Sequence, residues 1–188
     1  MTALAHLMIA AEKGPLSNEC VDRGIISFLS FIEWVEQLPY SRNSDRSEYR
    51  LVFDEECGVC STKSALIKAV AAENGWENVK LFLGMFLMSE KTHPGVGIIL
   101  KEANLESIPE AHTYLKINGE IRDVTGLEKG SESFEKSLQL EVEIKPDQIG
   151  EYKVNWHRAQ MVAYSFENGM SPNSLWETRE KCIAELSR

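Results

Sequence analysis

The sequence is short of positive charge, of cysteine and of long apolar runs, and each shortage argues against a class of function. Twenty Lys and Arg stand against 29 Asp and Glu, a formal charge of −9. No basic cluster offsets that balance locally, which argues against general nucleic-acid binding, since an acidic surface repels phosphate. The four cysteines, Cys20, Cys57, Cys60 and Cys182, are too few for a disulfide scaffold in a chain of 188 residues. They point instead to reduced thiols and a cytoplasmic location. No stretch reaches membrane-spanning length, and Lys80 to Lys101 is interrupted by charge, Pro94 and three glycines. Residues 1–14 open with a short apolar stretch but lack a basic flank and a cleavage site. They read as the start of a helix rather than as a leader or a membrane anchor. Internal repeats and low-complexity tracts are also missing.

What is present is material for one core. With 43% hydrophobic residues the chain is not disordered, and a folded monomer of this size buries roughly 70% of its extended surface. One domain over residues 1–188 is expected, with a core at about 21–145 and a helical extension at about 146–188. Val21, Ile25, Phe28, Leu29, Ile32 and Val35 recur at helical steps, predicting one amphipathic helix from Cys20 to Leu38. Pro39 and the polar run 41–47 end it. Residues 50–53 read as a short extended or turn segment. A second helix begins near Cys60 and stops at Asn74-Gly75.

The pattern then turns extended. Val79 to Met88 predicts a buried strand, and residues 95–100 read as loop or strand. Ala111 to Ile117 and Ile121 to Val124 flank Asn118-Gly119, a strong hairpin signal. Leu138 to Ile144 alternates as a strand with one wet face, carrying Glu141 and Glu143. Helices return over 154–167 and 173–186. Helices, then an antiparallel meander, then helices predict an α+β fold.

Cys60 is the first candidate for chemistry. At a helix start its sulfur lies at the positive end of the macrodipole, which favours the thiolate. Pro109-Glu110-Ala111-His112 leads into one strand and Asp123 sits on the returning one. A register centred on Asn118-Gly119 makes Asp123 a diagonal neighbour of His112 on one face. A thiol, a histidine and a carboxylate form the working set of a cysteine acyl-transfer site. His112 handles the thiol proton, Asp123 fixes the imidazole, and the Cys60 amide serves an oxyanion.

Gly58-Val59-Cys60, Ile108 to His112 and Arg122-Asp123-Val124-Thr125 resemble the transglutaminase-like superfamily of papain-like cysteine enzymes, nearest its small bacterial stand-alone members. The likeness runs from about Phe28 to Gly126. It implies a papain-like α+β fold with the cysteine helix packed on an antiparallel sheet and extra helices at both ends. It also implies Cys60 as nucleophile, His112 as base, Asp123 as orienter, and a peptide or small amide as substrate. Ser61 stands where many members have an aromatic residue or Arg, and Asn43 is the side chain offered for an oxyanion hole. Some members of the superfamily have lost activity, so a binding role is an alternative.

A second alternative is redox. Cys57-Gly58-Val59-Cys60 is a Cys-x-x-Cys at a helix start behind a strand-like Leu51-Val52-Phe53, the pattern of a thiol–disulfide oxidoreductase. It leaves His112 and Asp123 unused. Cys57 is otherwise a neighbour of Cys60 or a redox brake on it. A metal centre from Cys57, Cys60, His112 and either His93 or Cys182 lacks paired ligand spacing, so neither metal nor cofactor is expected. Cys20, Cys182, Trp34, Trp176 and His157 read as packing residues, and His93 as part of a loop.

Overall fold

The computed structural model describes residues 6–127 and 130–186. Seven helices and four strands follow in the order α1 (Pro15–Asp22), α2 (Phe28–Gln37), α3 (Leu51–Glu55), α4 (Cys60–Glu73), β1 (Val79–Met88), α5 (Gly97–Glu102), β2 (Ile108–Ile117), β3 (Glu120–Arg122), β4 (Leu138–Ile144), α6 (Glu151–Glu167) and α7 (Pro172–Leu186). The strands form one antiparallel sheet in the order β3-β2-β1-β4. The fold is α+β, as the sequence predicts.

The chain divides into two compact units built from interleaved segments. The first comprises the described residues up to Phe82 with Thr113–Gly126 and Glu143–Ile149; the second comprises Leu83–His112, Leu127–Val142 and the chain from Gly150. In the first, α2 packs on α4, and Phe28, Phe31, Ile32 and Val35 of α2 and Leu66 and Val70 of α4 are buried. In the second, α7 packs on α6 and α5, burying Leu100, Met161, Leu175 and Ile183.

Several expected elements differ. The single helix over 20–38 is two. Gly24 takes φ +77° while its N–H and that of Ile25 close on the carbonyls of Val21 and Cys20, a Schellman stop to α1. Ser27 then caps α2 by accepting the Ser30 N–H at 3.1 Å. The apolar spacing runs on through this break, so periodicity alone reads across it. At the N-terminus residues 1–5 lie outside the described residues. Beyond them Met8 bridges Ser27 in extended pairing, not in a helix.

The segment at 50–53 is helical, entering α3 from turns closed on Glu48, Tyr49 and Arg50, so that Phe53 stacks on Phe31 and Trp34. Residues 97–102 form α5, whose first amides are taken up by Glu90: its carboxylate accepts from Gly95 and Gly97, the latter at 2.7 Å. Strand β3 is shorter than expected, so Asp123 lies just beyond it rather than on it.

Candidate functional site

Gly58 and Val59 set the position of Cys60. Gly58 donates to the Pro39 carbonyl at 3.2 Å and accepts from the Ser41 N–H at 3.3 Å. A Cβ on Gly58 would meet Thr62 Oγ1, Lys63 Cγ and Val52 Cγ2 at 2.9, 3.0 and 3.1 Å, so only glycine lets the chain pass this close to the first turn of α4. Val59 is the N-cap and has no capping group; Thr62 Oγ1 instead reaches back to accept the Val59 N–H at 3.1 Å. Cys60 is the first residue of the helix and is buried.

Helix α4 lacks a wet side in its first two turns. Cys60 through Ile67 are all buried, including Ser61, Thr62, Lys63 and Ser64. Polar groups so buried need partners. Ser64, one turn beyond Cys60, donates Oγ to the main-chain carbonyl of Thr113 at 3.2 Å. That bond ties the cysteine helix to β2 at the residue next to His112.

Lys63 is the residue the sequence reading missed. Its ammonium is buried and donates to the carbonyls of Leu38 at 2.6 Å and Thr125 at 2.8 Å. Burial pushes its pKa down to about 8, against the opposing pull of Asp123, Cys57 and Glu36. The signal was there in the composition of α4, which opens Cys-Ser-Thr-Lys-Ser-Ala without a charged stripe, as a helix buried all round does.

The segment holding Asp123 is built by the same contacts. The β2–β3 register pairs Leu115 with Arg122 and Ile117 with Glu120, centred on Asn118-Gly119 as predicted. The ladder stops there because Asp123 Oδ1 accepts the Thr125 N–H at 3.0 Å, an Asx turn that replaces sheet pairing. Arg122 pairs with Glu36 at 2.6 Å. Gly126, at φ +71°, passes so close to the Glu36 carbonyl that a Cβ would overlap it. Asp123 is thus on a loop pinned to α2 and α4, one residue beyond the end of β3.

His112 lies on β2 in the second unit and is buried. Its ring meets Phe134 edge to face at 4.7 Å between centroids and Phe86 at 6.0 Å. These aromatic walls give the imidazole a dry setting. Cys60 and Asp123 belong to the first unit.

The remaining candidates separate on local contacts. Burial and the neighbouring Glu55 raise the pKa of Cys57, which opposes the thiolate a dithiol nucleophile needs. The segment ahead of it is helix α3, not the strand of a thioredoxin-like unit, and none of the four cysteines is in a disulfide. Asn43 spends its amide N–H groups on Glu55 Oε2 at 2.9 Å and the Cys57 carbonyl at 3.0 Å, so it does not supply an oxyanion donor. Cys20 and Cys182 are fully buried, with pKa values pushed up by burial to about 12 and about 11. His93 stands in a loop with its ring on Phe86, and His157 is a buried packing residue that donates Nε2–H to the Pro109 carbonyl at 3.0 Å. Trp34 and Trp176 are half-buried. Among the described residues no group of three His, Cys, Asp or Glu is placed to hold a metal.

Together these elements define an α+β protein whose buried central helix begins at a cysteine. No described helix is long and apolar enough to cross a membrane. Comparison of the chain with family models, curated proteins and solved structures found no match to any of the three.

Proposed function

We propose that the protein is a cysteine-dependent hydrolase or acyltransferase of the papain-like, transglutaminase-like kind, acting on an amide or related acyl bond. The observation that carries this reading is the Ser64–Thr113 bond: it fastens the helix that opens with Cys60 to the strand residue following His112. Cys60 Sγ, at the positive end of α4, attacks the acyl carbon. His112 accepts the thiol proton and returns it to the leaving amine as the C–N bond breaks. Asp123, held on its pinned loop, orients the imidazole. The Cys60 amide stabilises the oxyanion. A Cys60 thioester results, and water or an amine accepts the acyl group with release of the thiol.

An activated ester tests this without knowledge of the natural substrate. Mixing with p-nitrophenyl acetate should give a burst of about one equivalent of p-nitrophenol and a hydroxylamine-sensitive acetyl group on Cys60. His112→Ala should abolish the burst. Acetylation spread over Cys57 and lysines, or a burst indifferent to His112, contradicts the reading.

A further inference from the structure

Lys63 has no part in the chemistry just described, yet it is the most costly residue in the first unit to bury. An ammonium taken out of water is retained against stability unless it is well paired, and an apolar side chain of similar volume would fill the same space. Its partners are two main-chain carbonyls, those of Leu38 and Thr125. Thr125 is gripped from both ends: Lys63 holds its carbonyl at 2.8 Å and Asp123 Oδ1 holds its N–H at 3.0 Å. Lys63 stands three residues after Cys60, on the same turn of α4. The charged or titratable groups acting on it are Asp123, Cys57 and Glu36, and Glu36 is itself paired with Arg122 at the foot of the Asp123 loop.

We propose that Lys63 is a positioning residue, which through the Thr125 peptide fixes the Asp123 carboxylate relative to the Cys60 helix. This rests on the reading that Cys60, His112 and Asp123 act together. The buried charge thereby links the Cys60 helix to the Asp123 loop through the main chain.

The test compares iodoacetamide alkylation of Cys60 across pH, located by mass spectrometry, in the wild type, Lys63→Met, Lys63→Gln, Asp123→Asn and the Lys63→Met/Asp123→Asn pair. Lys63→Met should stay folded and melt within about 5 °C of the wild type, because the lost carbonyl bonds and the relieved burial of charge oppose each other. The inflection of Cys60 reactivity should rise by about one pH unit in both Lys63 variants, lowering the neutral-pH rate about tenfold. Asp123→Asn should give the same shift, and the pair no more than either alone. Folded Lys63 variants that keep the wild-type inflection while Asp123→Asn moves it overturn the proposal and spare the triad. A wild-type inflection already at an ordinary thiol value, unmoved by His112→Ala, overturns both. If neither Lys63 variant folds, amide exchange of Thr125 in the wild type decides. Its protection should fall about tenfold between pH 7 and pH 9.5 as Lys63 loses its proton, and constant protection overturns the proposal.

Discussion

The hydroxyl of Ser64 donates to the carbonyl of Thr113 at 3.2 Å, joining the second turn of the cysteine helix to the strand residue that follows His112. Both residues are buried, so removing the donor deletes a hydrogen bond that water does not replace. Ser64→Ala should therefore destabilise the protein by about 1–2 kcal/mol in urea unfolding. It should also slow Cys60 alkylation at neutral pH. A Ser64→Ala protein as stable and as reactive as the wild type would remove the observation on which the functional reading stands.

Two glycines provide a matched comparison. Gly58→Ala places a methyl within 3.1 Å of Thr62, Lys63 and Val52, and should cost about 1–3 kcal/mol by overpacking the start of α4. Gly75, at φ +75° beyond the end of α4, has nothing within 4 Å, so Gly75→Ala should cost about 1 kcal/mol from backbone strain alone. Parallel unfolding curves check the order. Equal losses would show that the approach at Gly58 is not tight.

Much of this was legible in the sequence, and the failures have local causes. Strands β1 and β4 match their predicted limits, and the hairpin register follows Asn118-Gly119. The division of the N-terminal helix was signalled by Gly24 and Ser27, but apolar spacing continues through both. Helices α3 and α5 are five and six residues long, too short to show a helical period. The hairpin register carries Asp123 onto a strand, but the Asx turn to Thr125 and the bond from Lys63 on α4 take the chain off the ladder. Lys63 itself reads as solvated in any single-residue view.

In the second unit, Arg179 grips Glu110 through Nε at 2.6 Å and a second nitrogen at 2.5 Å, with both side chains buried. Arg179→Met leaves a buried carboxylate unpaired and should cost about 3–5 kcal/mol. Adding Glu110→Leu should recover most of that loss, since an apolar pair needs no solvation. Additive losses in the double variant would show that the pair is not the source.

Acid unfolding should proceed in two windows. Burial pushes the pKa of His157 down from 6.5 to about 4. Between those values the unfolded chain binds a proton that the folded chain does not, so stability falls as pH drops from 6.5 to 4. Burial alone would raise Glu110, but Arg179 and His157 outweigh it and hold the carboxyl at about 2, below its ordinary 4.5. The stability this provides is present above pH 4.5 and is lost as pH falls from 4.5 toward 2. Denaturant titrations at stepped pH should show both declines, and His157→Gln should flatten the upper one and shrink the lower one, since it also removes one of the charges that hold Glu110 down. An unchanged upper decline in that variant would assign it to other groups.

In the proposed reaction Cys60 is an activated thiol served by His112. The most direct measurement is the pH dependence of iodoacetamide alkylation at Cys60, compared with His112→Ala. An activated Cys60 should stay reactive at least one unit below the ordinary thiol pKa of about 8.5, and its neutral-pH rate should fall at least tenfold in the variant. A Cys60 that reacts as an ordinary thiol, with the same profile in both proteins, would contradict it.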